Sequence, residues 1–260
     1  MRLTPFPVLA AATLLVATPF AAQAQGRPAQ GDWQVRLGAI ALYGPDYLGS
    51  NDYEFGGAPD IEIVWRDRVF LGREGFGVNV VNAEDIRVAL AIGYGGGRDQ
   101  DDNAALRGLG DIDGTAELTG IVEYRLGAIA LGASLTQDIL DEGHGGTLAS
   151  LSATYQTALG RTLVFAGPSL TWASDDYTQS YFGITPAQAT RARRAAYAAE
   201  GGLRDVDFTV VAVHPLGGSW QLTGFASYTH LLGDAADSPL VAIDGDESQV
   251  TVGLGLSYQF

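Results

Sequence analysis

The sequence predicts an all-β protein, a transmembrane antiparallel up-and-down β-barrel. Three observations predict it. Apolar and polar residues alternate along most of the chain, aromatic residues gather near the ends of the alternating segments, and short links alternate with long ones. Alternation alone fits any half-buried sheet. The aromatic placement separates the cases, because a membrane barrel carries interfacial girdles with small aliphatics between them. A soluble exported β-sandwich, the alternative fold, would bury its large rings mid-strand. The expected girdle is Trp33, Tyr43, Trp65, Tyr94, Trp220, Tyr258 and Phe260.

Composition narrows the function classes. The 260 residues hold 30 acidic and 15 basic side chains, net −15, and every basic one is arginine. Nucleic acid is excluded as a partner on that balance, since phosphate neutralisation needs a basic surface. With no cysteine, disulfides, thiolate metal sites and cysteine nucleophiles are removed. The 35 glycines disfavour a helical fold and the 10% aromatics disfavour disorder.

The N-terminus reads as an export signal. Arg2 supplies the positive end, residues 7–17 form an apolar run, and Ala22-Gln23-Ala24 is a small-x-small cleavage site. Residues 1–24 are expected to be removed, leaving 25–260 as a single barrel domain. The run is shorter than the ~20 residues of a spanning helix.

Strands are then expected at 32–43, 57–65, 68–72, 76–82, 86–95, 115–126, 128–139, 147–159, 162–174, 203–215, 219–232 and 249–260. The last is the cleanest: Val250, Val252, Leu254, Leu256, Tyr258 and Phe260 alternate with polar or glycine residues. That makes twelve strands; merging the short pair around 72–76 would give ten. Short links at 66–67, 82–85, 127, 160 and 216–219 alternate with long Asp/Gly-rich ones at 44–56, 96–114, 140–146, 175–202 and 233–248. Outer-membrane barrels have this asymmetry, with short turns in the periplasm and long loops outside. One link breaks it, because 73–75 is short yet falls on the outer side. In lipid only helices and closed barrels pair every backbone amide, so closure is expected. The terminal Tyr258-Gln259-Phe260 resembles the signal that bacterial barrel-assembly machinery reads.

Several strings recur in the order of a known family. They are Tyr181-Phe182-Gly183-Ile184, then Thr185-Pro186-Ala187-Gln188-Ala189, Gly201-Gly202-Leu203-Arg204-Asp205-Val206, and Leu231-Leu232-Gly233-Asp234-Ala235-Ala236-Asp237-Ser238-Pro239. Near the front stand Gly44-Pro45-Asp46-Tyr47-Leu48-Gly49-Ser50 and residues 59–65. With Tyr197, Trp220 and the Phe260 end, they make the chain resemble the MipA/OmpV family of outer-membrane proteins across the mature sequence. The resemblance implies a barrel in the bacterial outer membrane. For one branch it implies a scaffold that joins a murein lytic transglycosylase to a bifunctional penicillin-binding murein synthase. Other branches are porin-like, osmoregulated or adhesive. It implies no catalytic residues and no cofactor.

Candidate chemistry is sparse. His144, His214 and His230 fall on different loops and rims, so a shared metal site or triad would require folding to gather them. His230 with Ser227 or Asp234 could imitate the rim site of a lipid-modifying barrel enzyme. Asp99, Asp101, Asp102, Asp111 and Asp113 crowd one outer loop, and Asp244, Asp246 and Glu247 another. They read as solvated loops, with cation bridging to lipopolysaccharide phosphates as the alternative. Residues 185–200 read as a helix, capped by Thr185 with Pro186 at its start. Its Arg191, Arg193 and Arg194 are expected to fold into the barrel mouth and pair with inward carboxylates such as Glu117 or Asp207, or else to stand outside and touch lipopolysaccharide. Polar strand faces put Arg36, Arg87, Glu117, Glu123, Arg125 and Asp207 in the lumen, where they either pack it or line a narrow pore. The expected function is non-enzymatic scaffolding, with a passive channel for small polar solutes as the alternative and a rim-located lipid enzyme third. Expected neighbours are outer-membrane lipid, lipopolysaccharide, the assembly machinery and the two murein enzymes.

Overall fold

A computed structural model of the chain describes residues 32–140 and 143–260; the expected signal peptide lies outside the described residues. Twelve strands form one closed antiparallel barrel in which each pairs with its neighbours in sequence and the last returns to the first. They are β1 (Trp33–Pro45), β2 (Tyr53–Trp65), β3 (Val69–Gly72), β4 (Gly75–Asn82), β5 (Ile86–Gly95), β6 (Thr115–Leu126), β7 (Ile129–Asp138), β8 (Thr147–Leu159), β9 (Thr162–Ala173), β10 (Gly202–Gly217), β11 (Trp220–Leu231) and β12 (Ser248–Gln259). The short pair β3–β4 is a separate hairpin, so the count is twelve and not ten. Among the described residues no helix is long and apolar enough to cross a membrane.

Register explains which face meets lipid. Closure pairs Leu37 with Tyr258 and Ala41 with Leu254 across the β1–β12 seam, while Leu37 faces Ile61 on β2. A slip of one residue would turn each of these side chains to the other face. The outward set is apolar and uncovered: Leu90, Leu118, Leu135, Leu151 and Leu254 are all exposed, Leu254 by 57%. Hydrocarbon is the medium in which that surface is stable.

Aromatics bound this band on both sides. Trp33 stacks near Trp65 with ring centroids 6.2 Å apart, and Tyr258 contacts both Trp220 (5.1 Å) and Phe260 (4.9 Å) at the strand ends joined by short turns. At the outer ends stand Tyr43 against Phe55 (4.7 Å), Tyr94, Trp172 and Tyr228, all exposed. Phe55 and Trp172 extend the belt expected from sequence.

Inside, aromatics sit where a neighbouring strand offers glycine. A Cβ on Gly77 would come within 2.3 Å of the Phe70 ring, and one on Gly253 within 2.1 Å of Phe225. The rest of the lower lumen is ionic. Arg87 reaches Glu74 at 2.8 Å, Glu123 at 3.3 Å and the Asn79 side chain at 2.8 Å, with its guanidinium 4.9 Å from the Phe70 centroid. Arg36 pairs with Glu62 and Asp60, and Arg73 lies 3.6 Å from Asp60.

Two expectations need correction. The first outer loop is shorter than 44–56, because pairing continues through Gly44–Glu54 and Pro45–Tyr53. The outer loops also carry four short helices where one was expected: α1 (Asp175–Phe182), α2 (Pro186–Ala192), α3 (Gly233–Asp237) and α4 (Pro239–Ala242), besides a 3-10 turn at Ala104–Leu106. The helix expected over 185–200 stops at Ala192, where Arg193 takes a left-handed φ of 56° as C-cap.

The buried Arg87 cluster should dominate the ionic contribution to stability. Arg87→Ala leaves the buried Glu123 carboxylate without its partner and should destabilise the barrel by about 3 kcal/mol or more. Arg66→Ala, which breaks an exposed pair with Asp32, should cost less than about 1 kcal/mol. Urea unfolding from lipid vesicles, followed by tryptophan fluorescence, measures both; equal effects would refute this ranking.

Candidate functional site

The candidate site is the outer mouth, which loops rooted all around the ring fill with protein. Tyr47 from the β1–β2 loop, Leu106 and Leu109 from the β5–β6 loop, Ile184 between α1 and α2, and Leu240 of α4 form one buried cluster. A second joins Tyr177 and Phe182 of α1 to Ala235 of α3, Val241, and the strand residues Ala173 and Leu231. In a ring of twelve, the β1–β2, β5–β6 and β9–β10 loops are spaced four strands apart. Loops so placed can share one core only by meeting over the barrel axis. Leu106 is 0% exposed, and Phe182 and Ile184 are each 1%, values of a protein interior.

Local sequence explains how each piece reaches the axis. Ser174 precedes α1, whose first turn carries Asp175 and Asp176, favourably placed at a helix N-terminus. Thr185 and Gln188 form a capping box on α2. Ser238 caps α4 through the Leu240 amide and donates to the Phe182 carbonyl at 2.6 Å, which ties α4 to α1. The Gln188 side chain donates to the Leu109 carbonyl at 2.5 Å, joining α2 to the β5–β6 loop.

Beneath this core, α1 is docked on inward-facing strand residues. Tyr177 accepts from Arg204 at 2.9 Å, and His144 sits between the Tyr177 ring (4.8 Å) and Glu117 (2.9 Å). Arg98 is 92% removed from solvent; it donates to the Tyr181 carbonyl at 2.6 Å, and its guanidinium lies 6.0 Å from the Tyr181 ring. No carboxylate among the described residues pairs with it, and burial pulls its pKa down from the usual arginine value. Burial also pushes the Tyr47 hydroxyl up to about 12, helped by the Asp46 carboxylate. It raises the Tyr177 and Tyr181 hydroxyls as well. The cap is therefore built on tyrosines held neutral.

The basic cluster does not pair with the inward carboxylates Glu117 and Asp207. Arg191 and Arg193 are exposed, Arg191 donates to the Gly108 carbonyl at 3.1 Å, and Arg194 pairs with Asp244. None reaches Glu117, which binds His144, or Asp207, which takes hydrogen bonds from Ser227, Thr209 and Thr229. Arg191 lies within α2, Arg193 is its C-cap, and both are exposed to solvent. Glu117, Glu123 and Arg125 do lie on the inward face of β6. His230 bonds the Ser248 hydroxyl at 3.0 Å and stands on the face of β11 opposite Ser227, so the imagined rim constellation is not assembled. Among the described residues, no group of three or more carboxylate or histidine ligands is placed to hold a metal ion. The α1 helix and Arg98 went unread in the sequence; Ser174-Asp175-Asp176 was the available helix signal.

Residues 37–260 match the family described as MltA-interacting protein MipA. The chain belongs to this family. Outer membrane protein OmpV of Vibrio cholerae is 25% identical over 241 residues, covering 89% of this chain and 88% of that protein. Outer membrane protein Omp26La of Vibrio anguillarum is 27% identical over 191 residues, covering 74% and 69% respectively. Among solved structures, an anion-selective porin from Comamonas acidovorans aligns with a TM-score of 0.34 at 12% identity, over 88% of this chain and 98% of that one. By its family and these relatives, this MipA-family chain is an outer-membrane β-barrel.

The tyrosines make the cap sensitive to alkali. Tyr47 keeps its proton to about pH 12 when folded, but only to about pH 10 when unfolded. Between those values the folded state binds more protons, so its stability is full below pH 10 and falls as pH rises through the window. Hydrogen exchange, corrected for intrinsic rate, should show the amides of 174–201 losing protection above pH 10 while strand amides keep theirs. Unchanged protection at pH 11.5 would overturn this assignment.

Proposed function

We propose that this protein is a capped barrel that works by binding at its rims, neither a standing pore nor an enzyme. The observation that carries the reading is the shared loop core over the axis, with Leu106, Phe182, Ile184 and Leu240 at 1% exposure or less. A diffusive porin needs a continuous water path, and a core of this density has none at its centre. The non-enzymatic reading draws on the histidines: among the described residues none bonds both a hydroxyl and a carboxylate. In planar bilayers the protein should give no steady ohmic conductance at neutral pH, and deleting 174–201 should open one. A stable open channel from the intact chain would favour the passive-channel reading instead.

For the scaffold role, the rim that fits is periplasmic, at the β2–β3 turn. Arg66 and Asp67 both hold left-handed backbone (φ 51° and 54°), as a type I′ hairpin turn requires, and the Arg68 amide closes the turn on the Trp65 carbonyl at 2.9 Å. The turn is clamped: Asn79 and Asn82 donate to the Asp67 carbonyl at 2.9 and 3.1 Å, and Gln34 to its carboxylate at 3.2 Å. Arg66 lies over the Trp65 ring at 5.1 Å, presenting a rigid cation and aromatic together, as interface anchors do. A murein lytic transglycosylase or a penicillin-binding synthase is the proposed partner. Arg66→Asn with Asp67→Gly suits the turn geometry, so the barrel should stay folded while capture of a murein enzyme from envelope extract is lost. Undiminished capture by this double variant would exclude the turn as the docking point.

A further inference from the structure

The first helix of the cap rests on a histidine whose hydrogen bonds leave no place for a second proton. His144, in the β7–β8 loop, has its side chain 2% exposed. Its Nδ1 accepts from the Gly146 amide at 3.0 Å, and Nε2 stands 2.9 Å from Glu117 Oε1. A ring nitrogen that accepts carries no hydrogen, so the proton sits on Nε2 and is donated to the Glu117 carboxylate. The seat is built around the neutral ring.

Residues 144–147 also grip α1. Ser180 Oγ donates to the His144 carbonyl at 3.2 Å, the Tyr177 ring meets the imidazole edge-on at 4.8 Å, and the Tyr181 ring lies 6.1 Å away. Thr147 and Ser174 exchange two hydrogen bonds of 2.9 Å, the Thr147 amide donating to the Ser174 hydroxyl and the Ser174 amide to the Thr147 carbonyl. Gly146 is buried against the helix start, where a Cβ would come within 2.4 Å of the Tyr177 amide nitrogen. The Gly146 amide therefore cannot turn away from His144 without moving the first turn of α1.

We propose that His144 is an acid-operated latch on the cap: neutral, it holds α1 in the mouth, and protonated, it releases it. This latch rests on the capped-barrel reading of the mouth and adds its regulation. Imidazolium carries a hydrogen on both nitrogens. In the closed seat the new Nδ1 hydrogen would confront the Gly146 amide, donor against donor. Glu117 of β6 and Asp138 at the end of β7 attract the cation. Neither serves Nδ1, because Glu117 takes the Nε2 hydrogen in either state, and Asp138 already accepts from Thr115, Leu140 and Gly145. From α1 the neutral Tyr177 and Tyr181 face the ring, while Asp175 and Asp176 are exposed. Behind the tyrosines, Arg98 and the Asp205-paired Arg204 of β10 oppose a further positive charge. Release frees Nδ1 to bind the proton. Mass action therefore favours release as pH falls through the range in which imidazole titrates, about 8 to 5.

The test uses the refolded protein in phosphatidylcholine nanodiscs and hydrogen exchange, corrected for intrinsic rate, from pH 8 to pH 5. The amides of α1 should lose at least about tenfold in protection, the worth of one hydrogen bond, while strand amides keep theirs. His144→Gln keeps a donor for Glu117 but takes up no proton, so protection of α1 should no longer depend on pH in this range. Should that variant fail to fold, His214→Gln with His230→Gln leaves His144 as the only imidazole of the chain's three. This double variant should keep the acid response in full. Unchanged wild-type protection at pH 5, an acid loss that persists in His144→Gln, or a response that vanishes in the double variant would each overturn the latch and leave the cap standing. Steady conductance from the intact chain at pH 7.5 would overturn the capped barrel and the latch together, so the two failures are told apart.

Discussion

The constraint on which the structure depends is that a backbone amide in hydrocarbon has no water to bond. Sheet edges in the membrane must be paired, and the pairing of β1 with β12 is the step that removes them. Once the ring is closed, register follows from which side chains tolerate lipid. Small aliphatics go outward, glycine goes inward where a neighbouring strand places Phe70 or Phe225, and charges find each other in the lumen. The Arg87–Glu74–Glu123 cluster is possible only because the wall separates it from lipid.

The outer mouth answers to a different solvent. Loops in water can fold on one another by burying apolar surface, and here they do so with residues such as Leu106, Phe182 and Val241. The acidic excess of the chain lies mostly around this core. Tyr177, Tyr181 and Tyr47 let the core carry hydroxyls without carrying charge, which is why Arg98 can be accommodated against a carbonyl and a ring. The cap thus joins two solutions, an apolar core above and a polar seat of His144, Glu117 and Arg204 below.

The barrel was legible in the sequence because its signal is local. Period-two alternation names each strand within a few residues, and the aromatic ends name the interfaces; Phe55 was missed because it falls within 44–56, which reads as loop. The cap was illegible for the opposite reason. Its helices are 4–8 residues long, too short to show a period, and they are stabilised by contacts between loops far apart in sequence. Arg191, Arg193 and Arg194 illustrate the limit. Their charge suggested a pairing with Glu117 or Asp207, but their partners lie in loops distant in sequence: the Gly108 carbonyl for Arg191 and Asp244 for Arg194.

The link at 73–75 was the one place where the alternation of short and long connections failed, and that irregularity marks a real feature of the wall. A hairpin that stops short leaves polar backbone and a charged tip at a depth where neither is stable in plain hydrocarbon. Such an arrangement persists only if polar matter reaches it, from the lumen, from headgroups or from a ligand. Pro59 lowers the cost by removing one donor, and Arg73 with Asp60 supplies a partial internal partner. Glu54, paired with Gly44 at the outer end of β2, keeps one carboxylate oxygen buried with no hydrogen-bond partner among the described residues. Asn103 meets the outer end of this side by donating to both Asp46 and Asp52, which ties the β5–β6 loop to the first outer loop.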